Sequence, residues 1–108
     1  MKKIFVLVPY MGRSDAELQK IREDAVELYR DRRQEEAELI LPQGKRLSGD
    51  IEAMFEADLV VCVKYHQFDP VCCVVMQAIY TYGKEFIEDR DIVKIEPHHD
   101  DYPDDTGE

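Results

Sequence analysis

The stretch Asp58-Leu59-Val60-Val61-Cys62-Val63 contains the clearest buried strand in the sequence. A continuous apolar run of this length is typical of a strand that is covered on both faces, as in parallel sheets. Lys3 to Val8 is a second run of this kind, and shorter runs at Glu38 to Leu41 and Lys84 to Ile87 predict two more strands. Ile92 to Ile95 is a candidate fifth strand.

A long amphipathic helix is predicted between the first two strands. Ser14 and Glu17 have the spacing of a capping box, so the helix is expected to begin at about Asp15 and to end at about Arg33. Its buried face is predicted from apolar residues spaced three and four apart, which lie on one side of a helix. These residues are Leu18, Ile21, Ala25 and Leu28.

Two further helices are predicted after the second and third strands. The first is short, from about Asp50 to Glu56, and follows a polar loop. The other begins at Asp69-Pro70, because aspartate is a good N-cap and proline is favoured at the first helical position. It is expected to end at Gly83. Since this helix is apolar nearly all round, we expect it to be the most buried helix.

The alternation of strands and helices predicts a single-domain, three-layer α/β sandwich of the flavodoxin-like or Rossmann-like class. Its sheet is expected to be small and mainly parallel, with four to five strands. Ligands of such sheets bind beyond the carboxyl ends of the strands, near the reversal in strand order. Three loops are therefore expected at the site, at residues 9–14, 42–49 and 64–70.

The 108-residue chain has a net charge of −10 that is unevenly distributed. Residues 96–108 contain six acidic and no basic residues, whereas residues 1–95 contain 18 acidic and 14 basic ones. We predict one folded domain at residues 1–95 and an acidic tail at residues 96–108 that is flexible or docked on a partner. This charge balance argues against nucleic-acid binding, which needs a basic surface.

No apolar run approaches the roughly 20 residues that a membrane helix needs, and Met1-Lys2-Lys3 precedes only a short one. We therefore expect a cytoplasmic protein with no membrane partner. The three cysteines, Cys62, Cys72 and Cys73, are expected to be reduced thiols, because an odd count with two adjacent does not suggest a disulfide framework. His98-His99-Asp100-Asp101 has metal-ligand residue types without fixed geometry, so no metal or cofactor is predicted.

Three segments carry a family resemblance through their order and spacing. Lys3 to Gly12 (KIFVLVPYMG) combines a strand with a proline-containing loop, and Asp50 to Val63 combines an acidic residue, a short helix and a strand. Asp69 to Lys84 combines an aspartate, a helix and a Gly-Lys exit. Together they resemble the nucleoside 2-deoxyribosyltransferase-like superfamily, which includes nucleotide N-glycosidases and small phage-associated proteins. The resemblance covers about residues 3–88 and implies a nucleoside or nucleotide-like ligand.

The resemblance also implies a catalytic glutamate six positions after the aspartate that Asp69 matches. In the family this carboxylate attacks the anomeric carbon, because an anion both stabilises and bonds to an oxocarbenium-like centre. Here that position is Val75, and the family's orienting tyrosine corresponds to Phe5. Small residues that precede the glutamate correspond to Cys72-Cys73. With three departures together, we expect the family's reaction to be lost.

A set of ligand-binding residues is predicted from the resemblance and the loops. Asp69 matches a position that holds a ligand's base or sugar, and Asp50 is a candidate for a sugar hydroxyl, although both residues also suit a helix start. The 9–14 loop ends at a helix N-terminus, which suits a phosphate. Lys45-Arg46 is a basic pair that could bind a phosphate or an acidic partner, and the alternative is that both side chains belong to a solvated loop. The predicted set is Pro9, Tyr10, Met11, Gly12, Arg13, Arg46, Asp50, Asp69 and Cys72.

Three hypotheses for the function follow. The leading one is a non-catalytic relative that binds a nucleotide-like small molecule or a protein partner. The second is an active deoxyribosyltransferase or N-glycosidase that uses Asp69 or a cysteine. Cys72 lies in the first turn of a predicted helix, where the pKa of a thiol can fall. The alternative for Cys72 is an inert buried thiol. The third is an acidic interaction protein acting through its tail. Relatives commonly associate, so we expect a homodimer or larger homo-oligomer.

Overall fold

A computed structural model describes residues 1–93, which contain a four-stranded, all-parallel sheet. The strand order is β2-β1-β3-β4, so β1 lies between β2 and β3, with Phe5 opposite both Ile40 and Val60. The chain therefore reverses its winding direction at β1, which creates a crevice at the carboxyl end of the sheet. The strands are β1 (Lys2–Leu7), β2 (Ala37–Ile40), β3 (Leu59–Cys62) and β4 (Phe86–Glu88).

Helices cover both faces of this sheet and complete a three-layer α/β sandwich. They are α1 (Asp15–Arg33), α2 (Arg46–Glu56), α3 (Pro70–Tyr82) and α4 (Asp89–Val93), with a 3₁₀ turn at His66–Phe68. One buried cluster joins the sheet to α1 and α4, and the other joins it to α2 and α3. The predicted fold class, a small parallel sheet of the flavodoxin-like or Rossmann-like type, is confirmed.

The central strand β1 shows why the apolar runs in the sequence are continuous. Ile4 and Val6 point toward α1, while Phe5 and Leu7 point toward α2 and α3. All four side chains are fully buried. Because successive side chains of a strand alternate between faces, a strand covered on both sides has to be apolar at every position.

The predicted helix caps are confirmed. The Ser14 side chain accepts the Glu17 amide while the Glu17 carboxylate accepts the Ser14 amide, which forms the expected capping box. The Asp69 side chain caps α3, and Gly83 ends it with a φ of 65°, a conformation that glycine adopts without strain.

Helix α2 begins at Arg46, four residues before the predicted start, so the prediction of a loop through residue 49 was wrong. Gly49 misled the sequence interpretation because glycine usually marks a loop. In the structure it lies inside the helix and against the backbone of Gln43, where an added Cβ would lie 2.2 Å from the Gln43 carbonyl oxygen. Glycine is needed here for the close approach of two backbone segments.

The candidate fifth strand was also wrong where the structure describes it. Ile92 and Val93 belong to α4, and Ile92 is fully buried in the cluster on the α1 side of the sheet. The Asp91 carboxylate accepts the Glu88 amide, a bond that turns the chain directly after β4. The remainder of that candidate strand, and the predicted acidic tail at residues 96–108, lie outside the described residues.

The buried face of α1 differs from the predicted one. Its most buried residues are Leu18, Arg22, Val26 and Tyr29, whereas Ile21, Ala25 and Leu28 are half-buried at the edge of the same face. The helix is therefore rotated relative to the predicted orientation, and an arginine, Arg22, lies within the buried row.

Only one side of α3 is buried, with four buried residues of 13 against four of 11 in α2, so the expectation that α3 is the most buried helix was wrong. Cys72, Val75, Met76 and Ile79 face the core, while the opposite side of the helix, including Val74 and Tyr80, is exposed. All three cysteines are free thiols, with Cys62 and Cys72 buried and Cys73 exposed. Across residues 1–93, no helix has both the length and the apolar content that crossing a membrane requires.

Candidate functional site

A cavity of about 250 Å³ lies at the carboxyl end of the sheet, between the loop after β1, the start of α1 and the loop after β2. It lies at the carboxyl edge of the sheet, but beside β1 and β2 and not between β1 and β3, where the winding reverses. Of the three loops predicted at the site, 9–14 and 42–49 contribute to the lining and 64–70 does not. Twelve residues line the cavity, and most of them are polar or charged: Tyr10, Asp15, Leu18, Gln19, Arg22, Leu41, Pro42, Gln43, Gly44, Lys45, Arg46 and Asp50.

Arg22 and Asp50 form the buried part of this lining. Arg22 is 5% exposed and Asp50 is fully buried. The Nε of Arg22 donates to the carbonyl oxygen of Val6 at 3.0 Å, and its guanidinium lies 5.7 Å from the centre of the Phe5 ring. These two contacts hold the arginine across the end of β1, so that a side chain from α1 reaches a residue of α2 on the other face of the sheet.

The facing polar atoms of this pair are not hydrogen-bonded. Nη2 of Arg22 lies 3.9 Å from Oδ1 of Asp50, which is beyond hydrogen-bonding distance. Among the residues that the structure describes, neither this nitrogen nor either carboxylate oxygen has a hydrogen-bond partner. Buried polar groups are nearly always satisfied, and buried charges are usually paired. The unused atoms therefore make this end of the cavity the candidate position for a ligand group.

The environment of Asp50 changes its acidity. Burial, with a smaller contribution from the charge of Asp69, raises the pKa of the Asp50 carboxyl from 3.8 to about 6, although Arg22 and Arg46 lower it. At neutral pH the carboxylate is mostly ionised but poorly solvated, so it is a strong acceptor for a donor group that enters the cavity.

Asp69, in contrast, has partners within the protein at both of its carboxylate oxygens. Its carboxylate accepts the Tyr10 amide at 2.8 Å, the Val71 amide at 2.9 Å and the Cys72 amide at 3.2 Å, and it forms an ion pair with Arg46. Burial by itself raises the pKa of this carboxyl, but the hydrogen bonds and the arginine outweigh burial and lower it. Asp69 therefore joins the loop after β1 to α3 and positions Arg46, and the predicted capping role is confirmed.

Arg46 and Lys45 give the cavity a positive rim. The Arg46 guanidinium stacks on the Tyr10 ring, 3.4 Å from its centre, and its Nε is buried without a hydrogen-bond partner in the described part of the chain. Lys45 is exposed at the first residue before α2 and makes no side-chain cap hydrogen bond. Both cations therefore have capacity for an anionic group.

The remaining residues of the predicted set do not line the cavity. Arg13 donates to the carbonyl oxygen of Pro9 at 2.6 Å, a bond that closes the loop, and Met11 and Gly12 are exposed at its tip with positive φ angles of 45° and 78°. Of the nine predicted residues, the structure brings together Tyr10, Arg46, Asp50 and Asp69.

Cys72 and Val75 both face the core between the sheet and α3. Burial, with the nearby Asp69 charge, raises the pKa of the Cys72 thiol to about 12, which is opposite to the decrease considered for a first helical turn. The thiol is therefore protonated at neutral pH and is a poor nucleophile. Val75 is fully buried in the same cluster as Phe5, so the position six residues after Asp69 contacts apolar side chains and does not line the cavity.

Sequence reasoning missed Arg22, which is the main polar residue of the buried lining. A signal was present, because Arg22 lies four residues after Leu18 and four before Val26, on the same side of the helix. An arginine inside an apolar row indicates an internal partner for its guanidinium.

No group of three or more metal-ligating side chains occurs within residues 1–93, and His98 to Asp101 lies outside that range. Comparison with protein-family models, with curated proteins and with solved structures found no match. The resemblance to the deoxyribosyltransferase-like superfamily therefore stays a prediction that rests on the three segments quoted above.

Proposed function

We propose that this protein binds a small, anionic, nucleotide-like molecule in the cavity at the carboxyl end of its sheet, without catalysing glycosyl transfer. The observation that carries the proposal is the buried Arg22–Asp50 pair, whose facing atoms have no hydrogen-bond partner among the described residues. Leaving such groups unsatisfied costs about 1–3 kcal/mol each. A ligand that supplies the missing hydrogen bonds recovers that free energy on binding.

The charges of the lining support an anionic ligand. Three cationic side chains, Arg22, Lys45 and Arg46, face the cavity together with two acidic ones, Asp15 and Asp50. Arg46 is paired with Asp69 outside the lining, so the positive excess is confined to the lining itself, in a chain whose net charge is −10. Arginine also binds phosphate through paired hydrogen bonds, which favours a phosphorylated ligand.

The size of the cavity limits how much of the ligand it encloses. Pockets for drug-sized molecules measure about 300–1,000 Å³, and this one measures about 250 Å³. A sugar phosphate fits this space, whereas the base of a nucleotide extends toward solvent.

Three observations support a non-catalytic role. Val75 lies in the apolar core, Cys72 has a buried and protonated thiol, and Asp69 is occupied by three amides and an arginine. A glycosyl nucleophile needs an accessible anion beside the anomeric carbon, and none of these three side chains provides one.

Binding is tested by thermal shift and calorimetry with nucleoside monophosphates and pentose phosphates. A true ligand raises the melting temperature with increasing concentration. Lys45→Ala is expected to weaken binding by about three- to fivefold, because it removes one charge from the rim. Lys3→Ala removes the same charge from the amino end of β1 and is expected to leave the affinity unchanged. The absence of a thermal shift with every one of these ligands would reject the proposal.

The non-catalytic part is tested by incubating the protein with nucleosides and nucleoside monophosphates and separating free base by chromatography. We expect no base release. Release that disappears in Asp69→Ala or Cys72→Ala would contradict this part and would support the alternative of an active enzyme.

We also propose that the exposed side of α3 joins two copies of the chain. No charged residue occurs from Pro70 to Tyr82, although 35% of the chain is charged. Val74 and Tyr80 are 47% and 63% exposed on this side. Since two copies of net charge −10 repel each other, an uncharged surface is where their approach is least opposed.

This contact is tested by light scattering after gel filtration. The wild-type protein is expected to be a dimer, and Tyr80→Glu is expected to produce monomers. Leu47→Glu adds the same charge to the exposed part of α2 and is expected to leave the dimer intact. A wild-type protein that stays monomeric at all concentrations would reject the contact.

A further inference from the structure

The free polar atoms at the buried end of the cavity have a defined geometry. A carboxylate accepts hydrogen bonds at both oxygens, and within residues 1–93 neither oxygen of Asp50 has a hydrogen-bond donor. Oδ1 lies 3.9 Å from Nη2 of Arg22. Both atoms are buried, so a hydroxyl that enters between them displaces part of the neighbouring lining. At that position one oxygen can donate to Asp50 while it accepts from Arg22, and a second hydroxyl on the adjacent carbon matches the remaining acceptor, Oδ2.

Other ligand groups fit this arrangement less well. An ammonium group satisfies Asp50 but has no acceptor for Arg22. A nucleobase needs a flat, apolar surface on which to stack, and the lining is mostly polar and charged. The aromatic residue of the lining, Tyr10, already has one face of its ring covered by Arg46. A group that donates and accepts at the same atom, as a hydroxyl does, matches the pair best.

We infer that this end of the cavity recognises a vicinal diol, and that the ligand contains ribose rather than 2-deoxyribose. The inference rests on the proposed small-molecule function and gives the sugar that the site selects. The phosphate lies toward Lys45 and Arg46, while the two neighbouring hydroxyls of the sugar lie against Asp50 and Arg22. The family resemblance implies a nucleoside or nucleotide-like ligand and does not specify its sugar.

The test compares ribose 5-phosphate with 2-deoxyribose 5-phosphate by calorimetry on the wild-type protein, with inorganic phosphate as a probe of the anion alone. The two sugars differ by one hydroxyl. Loss of a hydrogen bond to a charged group is expected to weaken binding of the deoxy sugar by about tenfold or more. Inorganic phosphate is expected to bind more weakly than either sugar phosphate.

The outcomes separate this inference from the proposed function. Equal affinity for the two sugars, or tighter binding of the deoxy sugar, would overturn the diol inference and leave the binding function standing. Absence of binding by both sugar phosphates and by nucleoside monophosphates would overturn both. Neither result depends on a variant that has to fold.

A variant then assigns the selectivity to its residue. Asp50→Asn keeps the shape of the side chain and replaces one acceptor with a donor, so the preference for ribose is expected to fall to within about twofold. Asp24→Asn makes the same charge change at an exposed residue of α1 and is expected to retain the preference. An Asp50→Asn protein that has a native circular dichroism spectrum and keeps the full preference for ribose would show that another residue recognises the diol.

Discussion

Arg22 of α1 and Asp50 of α2 approach to 3.9 Å, although their helices cover opposite faces of the sheet. The pair is buried, and its facing atoms are not hydrogen-bonded within the described part of the chain. A buried and incompletely satisfied ion pair contributes little to stability and often opposes it. The proposed ligand would supply the hydrogen bonds that this pair lacks, and the free protein would bear the cost in stability.

The stability of the protein is expected to respond to the acidity of Asp50. Its pKa rises from the ordinary value of 3.8 to about 6 on folding, chiefly through burial. Between these values the folded protein binds more protons than the unfolded chain, so the free energy of unfolding falls as the pH rises from about 4 to 6. Asp50→Asn removes this dependence, and the variant is expected to be up to about 3 kcal/mol more stable than wild type at pH 7.

Urea denaturation of both proteins between pH 4.5 and 7.5 measures this difference, and the contributions of the other carboxyl groups cancel in it. Asp24→Asn controls for the loss of one negative charge. A difference between wild type and Asp50→Asn that does not change with pH would contradict the prediction.

Asp69 is expected to behave in the opposite way. Asp69→Ala removes the acceptor of three amides and the partner of Arg46, and is expected to cost about 2–4 kcal/mol in the free energy of unfolding. Asp69→Asn keeps an oxygen that can cap α3 and is expected to cost less. Because hydrogen bonds lower the pKa of Asp69, its stabilisation is present above the unfolded pKa and is lost as the pH falls through the folded one.

Urea denaturation at pH 7 and at pH 3 gives the two comparisons. The cost of Asp69→Ala is expected to decrease in acid. Equal losses in the alanine and asparagine variants would show that the oxygen of the side chain does not hold the loop after β1 to α3.

The fold was predictable from sequence because its signals are local. The continuous apolar runs of β1 and β3 follow from strands covered on both faces, and Ser14, Asp69 and Gly83 fix helix ends through their own backbone neighbours. The errors arose where tertiary contacts decide. Ile92 belongs to a short apolar run that suits either a strand or a helix, and its burial beside α1 selects the helix.

The candidate site was predictable in part, for a related reason. Tyr10, Arg46 and Asp50 lie near the predicted carboxyl end of the sheet, and the order of strands and helices is enough to place them there. Arg22 lies in the middle of a helix, and its role depends on a residue of α2 that only the folded chain brings close. The contacts of Asp69 with the Tyr10 amide and with Arg46 likewise depend on packing between distant segments.

Gly49 is expected to be required for the shape of the cavity floor. In an exposed helix alanine is favoured over glycine by about 1 kcal/mol, but here an added Cβ would lie 2.2 Å from the Gln43 carbonyl oxygen. Gly49→Ala is therefore expected to lower the free energy of unfolding by more than about 2 kcal/mol and to weaken ligand binding, since Gln43 lines the cavity. Ser48→Ala, at an exposed position of the same helix, is the matched control and is expected to be neutral or slightly stabilising. Gain of stability in Gly49→Ala would show that the loop moves away at little cost.

A substitution at Val75 tests whether a carboxylate at the position of the family's nucleophile restores the reaction. Its side chain is fully buried in the apolar cluster that includes Phe5 and Met76. Val75→Glu places a carboxyl group there without a partner, so it is expected to lower the free energy of unfolding by more than about 3 kcal/mol and to produce no base release. Gln77→Glu adds the same group to the exposed side of α3 and is expected to change stability by less than about 0.5 kcal/mol. Urea denaturation and chromatography of nucleoside monophosphate incubations measure both effects. A Val75→Glu protein as stable as Gln77→Glu that releases base would mean that the α3 side chain turns toward the cavity, and that loss of one carboxylate is what separates this chain from a glycosidase.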